Sequence, residues 1–186
     1  IVPAYNEEGK LKQLFRAVPI KGKLKWLPTP GLGMKMFGVN LFKEASEVVY
    51  VCEGVFDSAL LWETLSFTKM DEEEQLSTSA MSSSLLESSS VVGIPGCGAF
   101  QKGWRKLFKD KDVVLLFDND HEKKSESTGR IIEPAGYNGL ERTSTIIGTV
   151  ANTIRMLDWG PKGWDENIAD GADVRDILTG KVSLES

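Results

Sequence analysis

The stretch EVVYVCEG at residues 47–54 decides how the rest of the chain is interpreted. Its apolar, β-branched residues are typical of a strand buried within a parallel sheet, and the run stops abruptly at Glu53 and Gly54. The segment that follows, DSALLWETLSF, has apolar residues at helical spacing. A buried strand that leads directly into a helix is the repeating unit of α/β folds.

The same alternation continues along the chain. Three further apolar runs predict strands: VVGIP at 91–95, DVVLLF at 112–117 and TIRMLDW at 153–159. GWRKLF at 103–108 predicts a short helix, and ERTSTIIGTVA at 141–151 predicts a longer one. This repetition predicts a doubly wound, mostly parallel α/β sheet flanked by helices, in which ligands bind beyond the carboxyl ends of the strands.

Two stretches do not fit the repeat and are interpreted as insertions. Residues 68–90 combine an acidic run with a Ser-rich tail, and residues 121–138 form a polar segment that contains Gly and Pro. A lid over a site is one interpretation of each stretch, and a solvated surface loop is the simpler one.

The first 45 residues differ from the rest in pattern and in charge. IVPAYN and LKQLFRAVP, on either side of a Gly-containing turn, predict a β-hairpin, and KLKWL predicts a further strand. Residues 1–43 hold 8 Lys/Arg and 2 Glu, a net charge of +6, whereas the remainder holds 14 Lys/Arg and 25 Asp/Glu, a net charge of −11. This asymmetry suits a basic part that grips a polyanion beside an acidic part that binds cations, or simply a charged, solvated surface.

Composition also narrows the class of protein. No apolar run approaches the ~20 residues that cross a bilayer, so a membrane-spanning protein is excluded. Cys52 and Cys97 lack the spacing of a zinc site or of a disulfide framework and are interpreted as ordinary thiols of a reducing cytoplasm. Ile1 in place of a starting Met, with no recognisable signal peptide, indicates a fragment of a longer protein.

The triplet Asp118-Asn119-Asp120 follows the third predicted strand. In an extended chain the side chains of Asp118 and Asp120 point to one face and that of Asn119 to the other. Two carboxylates on one face repel each other unless a cation lies between them, and Mg²⁺ accepts a few carboxylate oxygens together with water and phosphate. The triplet alone is also compatible with a loop-capping role.

Glu53 strengthens the prediction of a metal site, because it too follows directly on an apolar strand. Gly54 then permits a tight turn or the close approach of another group. Asp57 lies one helical turn further on and is a weaker candidate ligand for the same metal. A carboxylate in the first turn of a helix, interacting with the helix dipole, is the alternative role for Asp57, and the two roles can coexist.

The three segments VYVCEGVFDSALLWE, VVGIPGCGAF and DVVLLFDND together resemble the Toprim domain that primases, topoisomerases, some nucleases and recombination proteins share. The resemblance covers roughly residues 46–160 and implies a Rossmann-like Toprim fold, preceded by a small basic β-rich subdomain at 1–45 and followed by a closing turn and short helix at 161–186. It also implies that Asp118 and Asp120 hold Mg²⁺ (or Mn²⁺). For Glu53 it implies a catalytic role, as a general acid or base or as a further ligand.

The flanking segments narrow the resemblance to one branch of that family. YNEEGKL, KWLPTPGLG and FGVNLF are similar to the segment upstream of Toprim in phage and plasmid primases of the bacterial type. The resemblance implies a DNA primase or primase–helicase that makes short RNA primers from ribonucleoside triphosphates on single-stranded DNA. A replicative helicase is then the expected partner, and the bacterial cytoplasm or nucleoid is the expected location.

The closing segment ADVRDIL, at 172–178, resembles the end of such domains but has Ala172 and Arg175 where Lys and Asn are usual. We therefore expect a capped helix that closes the fold, with Asp173 as its N-cap, rather than a substrate contact.

Template binding is predicted for the basic segment. Positive charge beside an aromatic platform suits single-stranded nucleic acid, whereas lysines that protect a solvated edge strand are the alternative. The candidate residues are Arg16, Lys21, Lys23, Lys25 and Trp26. His121, the sole histidine, is interpreted as a polar loop residue.

Two other functions remain open at this point. A Toprim nuclease would use the same acids, whereas a topoisomerase also needs a tyrosine nucleophile in a recognisable setting. A non-catalytic module that binds nucleic acid or a partner protein is the third hypothesis, and the complete set of acids disfavours it.

Overall fold

The computed structural model describes residues 1–20, 23–74 and 88–183, with the backbone alone for residues 23–25 and 67–74. The described residues contain three sheets, and the two larger ones organise the fold. The N-terminal sheet is antiparallel and has the order β1–β2–β3, with β1 at Val2–Tyr5, β2 at Leu11–Ile20 and β3 at Lys23–Pro28. The predicted hairpin and the predicted third strand are therefore confirmed.

The second sheet has four strands, and all of them are parallel. Its order is β5–β4–β6–β9, with β4 at Val48–Glu53, β5 at Ser89–Ile94, β6 at Asp112–Leu116 and β9 at Thr153–Met156. This confirms the predicted parallel α/β sheet. The sheet is flanked by helices, an arrangement compatible with a Rossmann-like fold.

Within the described ranges, three α-helices accompany these strands: α1 at Val55–Glu74, α2 at Ala135–Ile147 and α3 at Val174–Leu178. Two 3-10 helices follow β5, at Cys97–Ala99 and Lys102–Phe108, and another precedes β4 at Val39–Leu41. None of the helices in the described ranges combines the length and the apolar character that crossing a bilayer requires.

Alternate residues of β4 enter different parts of the core, as expected for a strand covered on both faces. Val49 and Val51 belong to one cluster of buried residues, which also contains Ile147 of α2. Cys52 belongs to another cluster, together with Leu61 of α1. Helices thus cover both faces of the sheet, and the carboxyl ends of its strands form one edge.

The two sheets meet where the chain runs from β3 towards β4. Phe37 forms an isolated bridge with Gly93 of β5, donating its N–H to the Gly93 carbonyl at 2.8 Å. Phe37 is also buried beside Phe15 of the N-terminal sheet, with a distance of 4.8 Å between the ring centroids. The basic sheet is therefore packed against the edge of the parallel sheet.

The two predicted insertions differ from the structure in their bounds. Helix α1 continues through Glu74, beyond the predicted boundary at residue 68, and residues 75–87 lie outside the described part of the chain. The second stretch contains a small hairpin, β7 at Lys123–Lys124 and β8 at Ile131–Ile132, and the first turn of α2. Helix α2 begins six residues before the predicted start at Glu141 because Gly136 and Gly139, which are poor helix formers, fit where the helix packs closely.

Candidate functional site

The acidic residues of the sequence converge on the carboxyl edge of the parallel sheet. Glu53 is the last residue of β4, and Asp118 follows β6 by two residues. The two strands are hydrogen-bonded neighbours with Cys52 opposite Leu116, so the chain leaves the sheet at the same level in both. This adjacency is the one expected from the two apolar runs that end in acids.

Glu53 has one carboxylate oxygen bound and one unpartnered. Its Oε1 accepts a hydrogen bond from the backbone N–H of Cys97 at 2.9 Å. Its Oε2 is buried and has no hydrogen-bond partner among the described residues. Burial, reinforced by the negative charge of Asp120, raises the pKa of Glu53 to about 7. A buried carboxylate in this state is stabilised by any cation that reaches it.

Asp118 is the acid whose ionised form is disfavoured most. Burial, together with the charges of Glu53 and Asp57, raises the pKa of its carboxyl group to about 9. Asp118 forms no ion pair with any residue in the described ranges. No cation among the described residues therefore compensates its ionised form.

Asp120 points to the start of α2. Its Oδ2 accepts a hydrogen bond from the backbone N–H of Gly136 at 2.9 Å, in the first turn of that helix. A carboxylate at this end of a helix is stabilised by the unsatisfied N–H groups and by the helix dipole. Helix α2 approaches so closely that a Cβ at Gly136 would overlap the carbonyl oxygen of Asp118.

Asn119, between the two aspartates, is fully buried on the opposite side and anchors a distant loop. Its Oδ1 accepts from the backbone N–H of Asp165 at 2.9 Å, and its Nδ2 donates to the carbonyl oxygens of Asp165 and Ile168 at 3.1 and 3.2 Å. Its backbone N–H donates to the carbonyl of Ala172 at 2.8 Å. The side chain of Asn119 points away from those of the two aspartates, as predicted, and its hydrogen bonds hold the segment before α3 next to the site.

Helix α3 brings a cation to the same edge, contrary to the expectation that this segment only closes the fold. Asp173 caps α3 as predicted, accepting hydrogen bonds from the backbone N–H groups of Arg175 and Asp176. The guanidinium of Arg175 also forms ion pairs with Asp57 and Asp173, with Nε 2.8 Å from Asp57 Oδ1. The resemblance suggested no role for an arginine at this position. The contact between Arg175 and Asp57 depends on the folded loop that Asn119 holds, so the sequence could not indicate it.

Asp57 lies in the first turn of α1, and its side chain is buried with 6% of its surface exposed. Burial and the charge of Asp173 raise the pKa of Asp57, the charge of Arg175 lowers it, and the net result is a pKa of about 6. Its Oδ2 approaches Gly54, where an added Cβ would lie 2.6 Å from that oxygen. Gly54 also has a φ of 113°. Both roles expected for this glycine, a tight turn and the close approach of another group, are therefore found in the structure.

These side chains border a cleft of about 520 Å³ between the parallel sheet and the N-terminal sheet. One wall is acidic, with Glu53, Asp57 and Asp118, and Arg175 lies beside it. A further part of the wall is aromatic, and Trp26 packs edge-on against Phe56 with ring centroids 5.3 Å apart. The cleft therefore pairs carboxylates with a stacking surface.

The residues predicted to bind template lie at different distances from the cleft, and the side chains of some are not described. Trp26 lines the cleft and is half-buried, and Arg16 is exposed on β2, opposite Leu27 of the cleft wall. Lys23 and Lys25 lie on β3 as backbone positions only, and Lys21 lies outside the described residues. Of the predicted set, Trp26 alone is placed by its side chain at the acidic site.

His121 has structural contacts. Its Nε2 lies 3.0 Å from the carbonyl oxygen of Asp165, and its ring lies 4.7 Å from that of Trp164. Cys52 is buried and Cys97 is partly buried, and both are free thiols. The prediction of a polar loop histidine agrees with these contacts.

The carboxylates at this edge of the sheet are the candidate ligands for a divalent cation. In the described ranges, no group of three or more His, Cys, Asp or Glu side chains is arranged to hold a metal ion. Mg²⁺ needs only one or two carboxylates, because water and substrate phosphates complete its six ligands. The unpartnered Glu53 Oε2 and the uncompensated Asp118 fit that requirement.

Comparison of the chain with protein-family models and with curated proteins finds no match. Its function therefore has to be inferred from the site.

Proposed function

We propose that this chain is the Toprim-type catalytic core of a DNA primase, which joins ribonucleotides into short RNA primers on single-stranded DNA with Mg²⁺. The observation that carries the proposal is the meeting of Glu53 and Asp118 at neighbouring strand ends, with a buried Glu53 oxygen that has no partner among the described residues. The resemblance of the sequence to that family supports the same activity.

Glu53 and Asp118, with Asp120 beside them, are the residues that would hold Mg²⁺, which in such reactions neutralises phosphate charge and lowers the pKa of an attacking hydroxyl. Phosphoryl transfer requires mainly positioning and charge stabilisation from the protein. The rigid strand ends supply the positioning, because Glu53 is held by the Cys97 N–H and Asp120 by the Gly136 N–H.

Glu53 is also the residue placed to accept the proton of the attacking 3′-hydroxyl. It lines the cleft, and one of its carboxylate oxygens is not engaged by any described residue. A general base needs a free lone pair within reach of the proton that it removes. Ligand and base roles both predict loss of activity in Glu53→Gln.

The template is proposed to lie across the aromatic wall of the cleft. Trp26 offers an aromatic surface in the cleft, and the N-terminal segment that carries it has a net charge of +6 over residues 1–43. Stacking on an aromatic ring and contacts between phosphates and basic residues are the usual means of binding single strands without sequence preference. Ribonucleoside triphosphates would then bind between Trp26 and the acids.

Primer synthesis by the full-length protein tests this proposal. Single-stranded DNA, ribonucleotides and Mg²⁺ or Mn²⁺ are supplied, and labelled RNA products are resolved on a gel. We expect Glu53→Gln and Asp118→Asn each to lower the rate at least about 100-fold. Glu47→Gln and Asp110→Asn are matched controls, because they make the same chemical changes at exposed positions at the opposite edge of the sheet and should leave the rate unchanged.

Two outcomes would contradict the proposal. Metal-dependent cleavage of the template without synthesis would identify a nuclease that uses the same acids. Primer synthesis that persists in both acid variants, while circular dichroism shows them folded, would place the reaction elsewhere.

A further inference from the structure

Arg175 is the one cation that the described residues place in contact with the acids of the cleft. Its Nε lies 2.8 Å from Asp57 Oδ1, an ion pair without the geometry of a hydrogen bond, and donates a hydrogen bond to Asp173 Oδ2 at 3.0 Å; its Nη2 donates to the same Asp173 oxygen. Asp57 and Asp173 are each 6% exposed. A pair of carboxylates removed from water in this way needs a partner of opposite charge.

The arginine is held in place by more than its ion pairs. Asp173 and Asp176 form a reciprocal capping box at the start of α3, which orients the helix that carries Arg175. The preceding residues are bound to Asn119, since the Asn119 N–H donates to the Ala172 carbonyl and the Gly171 N–H donates to the Asn119 carbonyl, each at 2.8 Å. The guanidinium is therefore a fixed feature of the site.

The acids of the cleft thus fall into two groups. Asp57 and Asp173 share Arg175, whereas Glu53, Asp118 and Asp120 form no ion pair with any described residue. A divalent ion near Asp57 would have to lie close to the guanidinium, and at such distances like charges repel strongly in a partly buried site. An ion at Glu53 and Asp118 would lie beside carboxylates that form no ion pair with any described residue.

We propose that Arg175 takes the place of a second divalent cation, so that the cleft binds a single ion at Glu53 and Asp118, beside Asp120, and excludes one from Asp57. This inference rests on the metal site of the proposed function. It makes Arg175 a positioning residue that sets the metal stoichiometry, and it removes Asp57 from the ligands.

The number of Mn²⁺ ions bound per chain tests this inference, counted in the full-length protein from the loss of the free-ion EPR signal. We expect one ion in the unmodified protein and in Arg175→Lys, which keeps the charge. We expect a second ion in Arg175→Gln, because Asp57 and Asp173 lose their cation. Asp57→Asn should change the dissociation constant of the first ion by less than about threefold, whereas Asp118→Asn should raise it at least about tenfold.

Two ions in the unmodified protein would overturn the inference, and so would an Asp57→Asn variant that loses the first ion as Asp118→Asn does. Absence of Mn²⁺ binding would overturn it as well. Should Arg175→Gln fail to fold, the unmodified protein, Arg175→Lys and Asp57→Asn still decide the question. One bound ion without primer synthesis would refute the proposed function alone, and metal-dependent synthesis with two ions would refute this inference alone.

Discussion

Asp57 and Asp118 are the same residue type in the same cleft, yet the fold treats their charges differently. Burial raises the pKa of both from the ordinary 3.8, to about 6 for Asp57 and to about 9 for Asp118. Arg175 lowers the pKa of Asp57, whereas neighbouring acids raise that of Asp118. Asp57 thus has a cation beside it in Arg175, whereas Asp118 has none among the described residues.

Removal of the internal cation should have the largest effect on stability. We expect Arg175→Gln to lower the free energy of unfolding by about 2 kcal/mol, because Asp57 and Asp173 are then buried without a positive partner. The value lies below that for a fully buried pair because the side chain of Arg175 is 45% exposed. Urea unfolding at pH 8 measures it.

Arg175→Lys serves as the matched variant, since it retains the charge but cannot reach both carboxylates with a planar fork. It should lose less than Arg175→Gln. Equal stability of Arg175→Gln and the unmodified protein would show that the surroundings of the two aspartates do not differ in this way.

The surroundings of Asp118 depend instead on the close approach of α2. Gly136→Ala should lower the free energy of unfolding by about 1–2 kcal/mol, because the new methyl group would overlap the Asp118 carbonyl. Gly103→Ala is the matched control, since an added Cβ there meets nothing within 4 Å. Thermal unfolding of both variants checks this prediction, and a Gly136→Ala variant as stable as Gly103→Ala would contradict it.

Neutralising the two aspartates should stabilise metal-free protein by different amounts at pH 8, because the pKa of Asp118 is raised further than that of Asp57. Asp118→Asn removes the cost of burying this carboxyl group and should stabilise the fold by about 1 kcal/mol. Asp57→Asn should stabilise it less, because Arg175 already offsets part of the Asp57 charge and loses a partner in the variant. Urea unfolding in the presence of a chelator measures both, and an equal gain in the two variants would contradict this prediction.

The pH dependence has a definite sign. Because the pKa of Asp118 in the folded state, about 9, lies above its ordinary 3.8, the unfolded chain releases this proton first as the pH rises. Metal-free protein should therefore lose stability between about pH 4 and pH 9, and Asp118→Asn should flatten that loss. A loss of the same size in Asp118→Asn would assign it to other groups.

The strand-end acids could be predicted from sequence because their positions depend on local pattern. An apolar run that stops at Glu53 and another that stops before Asp118 place both at one edge as soon as the strands are parallel. The alternation that directs Asn119 away from the aspartates follows from the same geometry.

The contact between Arg175 and Asp57 could not be predicted in this way, because it depends on tertiary structure. It forms only when the buried amide of Asn119 binds the loop around Asp165 and thereby brings α3 to the start of α1. No periodicity in ADVRDIL indicates such a partner. The early start of α2 could not be predicted either, because it also depends on tertiary packing. Gly136 weakens the helical pattern of the sequence, but it also permits the close packing of α2 against Asp118.

The most direct test of a cation site at the strand ends is the change in melting temperature on adding Mg²⁺, measured at pH 5 and at pH 8. A ligand that binds only the folded state stabilises it, and binding to carboxylates requires their ionised form. We predict a rise of several degrees at pH 8, a much smaller one at pH 5, and none at either pH in Asp118→Asn. An equal rise in Asp118→Asn, or no rise at pH 8 in the unmodified protein, would contradict a cation site at Glu53, Asp118 and Asp120.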